Sequence, residues 1–89
     1  MISTINYLKL KNILLKNFRN TRVLVETRGI FNSRIFIENT RITINKHKII
    51  ISNEEKDIIV EFTMLKKVKF FDSGRFELIY NDITILFEL

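Results

Sequence analysis

Cysteine, proline, alanine, glutamine and tryptophan are absent from this chain of 89 residues, and glycine occurs only twice. Without cysteine there is no disulfide framework and no thiolate to act as nucleophile or metal ligand. A single histidine, His47, leaves no plausible zinc cage. Gly29 and Gly74 belong to no phosphate-cradling loop, dinucleotide fingerprint or nucleophile elbow. No apolar run exceeds three residues, as in Ile13-Leu14-Leu15 and Ile49-Ile50-Ile51, so no segment is predicted to cross a bilayer. No stretch has the layout of a signal peptide either, and a cytoplasmic address is expected.

What is present describes one globular domain spanning residues 1–89. The chain is 46% apolar and 28% charged with a mean hydropathy of +0.07, which argues against disorder and for a core held by packing alone. Isoleucine (16), lysine (9), asparagine (9) and phenylalanine (8) dominate, the usage expected of an AT-rich genome.

Charge is unevenly placed. Residues 1–50 hold ten Lys/Arg against Glu26 and Glu38, a net of +8; residues 51–89 hold five against eight acids, a net of −3. A basic half of this kind creates a positive potential able to attract an acidic protein, an anionic surface or nucleic acid. The same charges also serve simply to keep an isoleucine-rich chain soluble, and a basic half meeting the acidic half of another copy gives a third reading, head-to-tail self-association.

Residues 3–20 are predicted to be a helix, opened by Ser3 or Thr4 as N-cap and free of Gly and Pro. At about 100° per residue, Tyr7, Leu8, Leu10, Leu14, Leu15 and Phe18 share an arc of about 160°, the width of a core-facing stripe. Lys9, Lys16 and Arg19 fall on the other side. Residues 21–89 read as strands. Val23 and Val25 alternate with Leu24 and Glu26 up to a turn or bulge at Gly29. Ile35 and Ile37 share a face, as do Ile42 and Ile44 after a change of parity at Glu38-Asn39-Thr40. A tight turn at Lys46-His47 places Ile44 opposite Ile49 and Ile42 opposite Ile51.

Ser52–Asp57 reads as a polar loop. Ile58, Val60, Phe62 and Met64 then share a face, with a break at Leu65-Lys66-Lys67 before Val68 and Phe70. Asp72-Ser73-Gly74 forms a turn with Gly74 left-handed. A two-residue turn at Asn81-Asp82 pairs Tyr80 with Ile83, Leu78 with Ile85, Phe76 with Phe87 and Arg75 with Glu88. Ile50, Ile59, Leu65, Phe71, Ile79 and Leu86 point away from the main apolar set. That second face predicts closure of the sheet or burial against a second copy.

The fold class expected is therefore α+β: an N-terminal helix packed on a strongly curved antiparallel β-sheet, a small barrel or sandwich of six to eight strands. No catalytic, cofactor-binding or metal-binding residue is predicted. His47 has no neighbouring carboxylate to orient it, and Glu54, Glu55 and Asp57 lack the ligand spacing of a calcium loop. The predicted binding residues are Lys9, Lys16, Arg19, Arg22, Arg28, Arg34, Arg41, Lys46 and Lys48, with Phe31 and Phe36 as stacking platforms where exposed.

The stretch Ile35-Phe36-Ile37-Glu38-Asn39-Thr40-Arg41-Ile42, followed by Ile58–Phe62, Leu65–Val68, Phe76-Glu77-Leu78 and Ile85-Leu86-Phe87, resembles bacterial pleckstrin-homology or GRAM-like domains. That resemblance implies a non-enzymatic barrel that binds lipid or protein. The helix-first order, Gly29 and the Lys46-His47 pair also resemble Sm-like folds, which implies RNA binding and assembly through strand edges. The expected function is a small interaction module engaging an acidic protein or anionic surface. A nucleic-acid-binding protein and a self-associating accessory or inhibitory protein, dimeric or larger, are the alternatives.

Overall fold

A computed structural model describes residues 2–72 and 74–89. It consists of one helix, α1 (Thr4–Asn17), and eight strands: β1 (Val23–Gly29), β2 (Ser33–Ile37), β3 (Arg41–Ile44), β4 (Lys48–Ser52), β5 (Asp57–Glu61), β6 (Lys67–Asp72), β7 (Arg75–Ile79) and β8 (Ile83–Glu88). All pairings are antiparallel, and the strands divide into a five-stranded sheet, β2-β1-β8-β7-β6, and a three-stranded sheet, β3-β4-β5. Neither sheet closes on itself. The α+β class and strand number agree with expectation, and the chain breaks after Met64 where a break was expected. β5 belongs to one sheet and β6 to the other, and the break at Leu65-Lys66-Lys67 is the crossover between them.

Both sheets and the helix contribute to one core. Leu10, Leu14 and Phe18 meet Val23, Val25, Ile37, Phe76, Leu78 and Phe87 of the larger sheet and Ile49, Ile51 and Val60 of the smaller. Phe76 lies at its centre, stacked on Phe87 at 4.7 Å and edge-on to Phe18 at 5.6 Å between ring centroids.

The helix starts where Ser3 caps it, its Oγ accepting from Asn6 N–H at 3.2 Å. Its buried stripe is narrower than the periodicity suggests. Leu10, Leu14 and Phe18 are fully buried and Tyr7 and Ile13 pack beside them, whereas Leu8 is 57% exposed. The stripe is turned toward Ile13, which places Leu8, about 160° around the helix from Leu10, at its uncovered edge.

The hairpins follow the turn chemistry. Ile44 pairs with Ile49, Ile42 with Ile51, and the β7–β8 pairs Leu78–Ile85, Phe76–Phe87 and Arg75–Glu88 form as the turn at Asn81-Asp82 requires. β4 is bounded by the same device at each end. Asn45 Oδ1 accepts from His47 N–H and Lys48 N–H at 2.7 and 3.0 Å, and Asn53 Oδ1 accepts from Glu55 N–H and Lys56 N–H at 2.8 Å each. The segment read as a loop over 52–57 is thus a tight hairpin. At the β6–β7 turn Asp72 Oδ1 accepts from Gly74 N–H at 2.9 Å; the left-handed turn expected through Ser73 and Gly74 falls on a link outside the described residues.

Two further expectations are corrected. Met64 leaves the face of Val60 and Phe62 because it adopts φ +67°, which turns its side chain outward to 68% exposure. Leu65, expected to point away from the main apolar set, packs against the core. Leu86 lies on the outer face as expected, yet is only 2% exposed there, in register between Glu26 and Glu77.

Thr40 is the one buried polar side chain among the described residues. Its hydroxyl donates to the Phe18 carbonyl at the end of α1 and accepts from Thr21 N–H at 3.4 Å. Its own N–H donates to the Thr21 carbonyl at 3.2 Å, and its carbonyl accepts from Asn20 N–H at 2.8 Å. The helix exit and the entrance to β1 are thereby bonded to the start of β3. The parity change read at Glu38-Asn39-Thr40 is this link, made by Asn39 at φ +52°.

Gly29 is held at φ +133° where β1 passes the β7–β8 turn, and a Cβ there would collide with the Asp82 carbonyl oxygen and stand 3.0 Å from Ile83 Cα. Thr40→Val leaves the Phe18 carbonyl short of its donor and should lower unfolding free energy by about 1–3 kcal/mol in urea, with Thr40→Ser recovering most of the loss. Gly29→Ala should cost a similar roughly 1–3 kcal/mol through strained backbone and displacement of Asp82.

Candidate binding surface

The topology gathers five chain segments at one end of the molecule. The tip of the β1–β2 hairpin is tied to the β7–β8 turn by Ile30 N–H donating to the Asp82 carbonyl at 2.9 Å. The β5–β6 crossover is tied to β7 by Lys66 N–H donating to the Ile79 carbonyl at 2.8 Å, and to the β3–β4 turn by Phe62 N–H donating to the His47 carbonyl at 2.8 Å. The start of α1 completes this end. Ile2 lies between two clefts, one of about 410 Å³ lined by Lys46, His47, Phe62 and Met64, the other lined by Leu65, Lys66 and Lys67.

Exposed apolar side chains and cations are combined there. Ile30 is 74% exposed, Phe31 59% and Met64 68%, each on a turn whose backbone is fixed by the bonds above. Arg28, Lys46, Lys48, Lys66 and Lys67 supply positive charge against Asp82 and Glu61. The first turn of α1 carries no acidic residue, so the positive end of its dipole adds to the same field. Lys66 and Lys67 were not among the residues singled out from sequence, because they belong to the half with net negative charge.

The opposite end is mixed in sign. Glu38, Glu54 and Glu55 line a recess of about 450 Å³ with Arg41 and Lys56. Arg22 stacks over Phe36 at 4.2 Å and bonds Glu38 at 3.2 Å. Lys16, in the last turn of α1, and the exposed Arg19 after it lie toward this end, favourably placed for the helix dipole. Lys9 stands over the Phe70 ring at 4.4 Å, on the flank where α1 meets β6. Arg28 bonds Glu26 at 3.3 Å, and Arg34 faces Glu26 in register from β2. Of the nine predicted cations, the fold thus brings Lys46 and Lys48 together with Arg28 toward the turn-bearing end, leaves Arg34 on the sheet face beside Glu26, and sets Arg22 and Arg41 among carboxylates. Phe31 and Phe36 are both exposed.

On the outer face of the larger sheet, Arg75 stacks over Phe71 at 4.6 Å and lies 3.9 Å from Glu77, with its Nε buried and unpartnered among the described residues. Among the described residues no group of His, Asp and Glu side chains is placed to hold a metal ion, and no helix is long and apolar enough to cross a membrane.

Tyr80 braces the turn-bearing end. Its hydroxyl donates to the Glu61 carbonyl at 2.5 Å, joining the end of β7 in one sheet to the end of β5 in the other. Burial, with the Glu61 carboxylate adding to it, pushes its phenol from 10.0 up to about 12. Because the folded state holds the proton more tightly than the unfolded chain, this contribution to stability is complete below pH 10 and falls as pH rises through 12. Tyr80→Phe should flatten the loss of stability over that alkaline window, measured by urea unfolding at a series of pH values.

Comparison of the chain with protein-family models, curated proteins and solved structures finds no match.

Proposed function

We propose that this protein is a non-enzymatic interaction module whose turn-bearing end engages an acidic partner, a protein surface before a simple anionic one. The observation that carries this reading is the exposure of Met64 in a cleft with Lys46, with Lys66 and Lys67 in the neighbouring cleft across Ile2 and with Ile30 and Phe31 exposed on the β1–β2 tip at the same end of the molecule. Apolar side chains on fixed turns within a cationic surround have the anatomy of a protein interface, where apolar contact supplies affinity and the surrounding charge supplies orientation and on-rate. His47, exposed in its turn, fits this surround as a polar contact rather than a catalytic base.

One core shared by two open sheets and a helix is compatible with a strongly curved, pleckstrin-homology-like domain, and the resemblance of residues 35–88 adds weight to a binding role. The nucleic-acid alternative rests on one observation, the exposure of both Phe31 and Phe36 on an arginine-bearing hairpin.

The test uses poly-L-glutamate and a single-stranded oligonucleotide as probes in fluorescence titrations. Poly-L-glutamate should bind at about 50 mM salt and be released at about 500 mM. The double variant Lys66→Glu, Lys67→Glu should weaken it roughly tenfold or more, while Arg19→Glu with Arg41→Glu changes it less than about twofold. Tighter oligonucleotide binding that Phe31→Leu reduces would favour the nucleic-acid reading, since leucine keeps the apolar contact and loses base stacking. An unchanged affinity in the Lys66, Lys67 variant contradicts the proposed surface.

A further inference from the structure

β2 is the terminal strand of the larger sheet on the side away from α1, which covers the flank between β3 and β6. Lys56 Nζ donates to the Phe36 carbonyl at 2.8 Å from outside the sheet. Phe36 therefore turns its backbone groups outward, and Arg34, two residues earlier, does the same. Lys56 occupies one acceptor of this edge and Asn53 Nδ2 bonds the Glu38 carbonyl beyond it at 2.8 Å; the N–H of Phe36 and both backbone groups of Arg34 face the open groove between β2 and β5. Ile35 at 38% and Phe36 at 41% exposure make it an apolar edge, the kind that monomeric sheets avoid or cover.

We infer that β2 pairs antiparallel with β2 of a second copy, joining two five-stranded sheets into one of ten across a two-fold axis at Ile35. The strand Ser33-Arg34-Ile35-Phe36-Ile37 is self-complementary in this register. Arg34 lies opposite Phe36 of the second copy on the outer face, a cation–π pair made twice, and Ile35 meets its own equivalent on the inner face. Glu38 of the second copy, which bonds its own Arg22, falls diagonal to Arg34 on one side, and Arg34 of the second copy does so on the other. The Arg34–Phe36 contact made twice and the Ile35–Ile35 contact on the axis make a second copy fit this edge better than a strand of unrelated sequence. Lys56 is the one guard, since its ammonium must leave the Phe36 carbonyl for the ladder to form.

The chain's lack of cysteine makes the test direct. In the paired register the two Ile35 Cα atoms lie about 4.5 Å apart, within disulfide reach. Ile35→Cys should therefore form a disulfide dimer under mild oxidation roughly tenfold faster than Ile59→Cys, a control at a more exposed position. By light scattering, Lys56→Ala should shift the unmodified protein toward dimer, and Ile35→Lys should make it monomeric with its thermal unfolding retained. Equal oxidation rates at the two positions overturn the inference, as does a monomer at about 1 mM protein or a dimer that survives Ile35→Lys.

Discussion

The constraint on which the rest of this structure depends is the set of hydrogen bonds at Thr40. A small domain without cysteine or proline must fix the relation between its helix and its two sheets by packing and by a few bonds that cannot be traded for water. Thr40 is fully buried and bonds the helix exit, the turn after it and the entrance to β1. The Phe18 ring lies on Phe76 in the larger sheet, so the bond at the Phe18 carbonyl also fixes how the smaller sheet meets the larger. At the far end Tyr80 plays the matching part, with one bond from the residue just after β7 to Glu61, the last residue of β5. Between these two ties the sheets need no further covalent or ionic link.

Fixing both ends determines what the turns present. The Asn45 and Asn53 side chains close the two hairpins of β4 by the same pattern of bonds, yet they hold opposite chemistry in place: Lys46 and His47 at one end, Glu54 and Glu55 at the other. Charge polarity in the folded molecule thus runs along the strands, from turn to turn, and not from the first half of the chain to the second. Lys66 and Lys67 come from the half with net negative charge and sit beside Ile2 and Leu65, close to Lys46, whereas Arg22 and Arg41 come from the basic half and are set among Glu38, Glu54 and Glu55.

Much of the local structure was legible in the sequence because it is governed by near neighbours. The registers of Ile42 and Ile44 against Ile51 and Ile49, and of Phe76 against Phe87, follow from side-chain alternation and from turns whose residues tolerate the required backbone angles. Gly29 stood out as one of two glycines, and the structure supplies the reason in the Asp82 carbonyl beside it. The division into two sheets was not legible, since Val60 and Val68 alternate alike and only long-range pairing separates their strands. Nor was the exposure of Leu8, because an amphipathic arc does not state which part of it a neighbour covers. The candidate surface was half visible. Lys46 and Lys48 were read as binding cations and Phe31 as a conditional platform, but the company of Ile30, Met64, Lys66 and Lys67 arises only when crossover and hairpin meet.

The account of function comes down to one end of the molecule, where the fold spends several backbone bonds to hold apolar residues in water beside lysines. The most direct measurement is the set of backbone amide shifts of the ¹⁵N-labelled protein during titration with poly-L-glutamate. The account predicts changes concentrated at Ile30–Asn32, Lys46–Lys48 and Met64–Lys67, with the helix C-terminus and the turn at Glu54 and Glu55 unmoved. Shifts confined to Lys9, Lys16 and Arg19, or spread evenly over every exposed lysine and arginine, would contradict it.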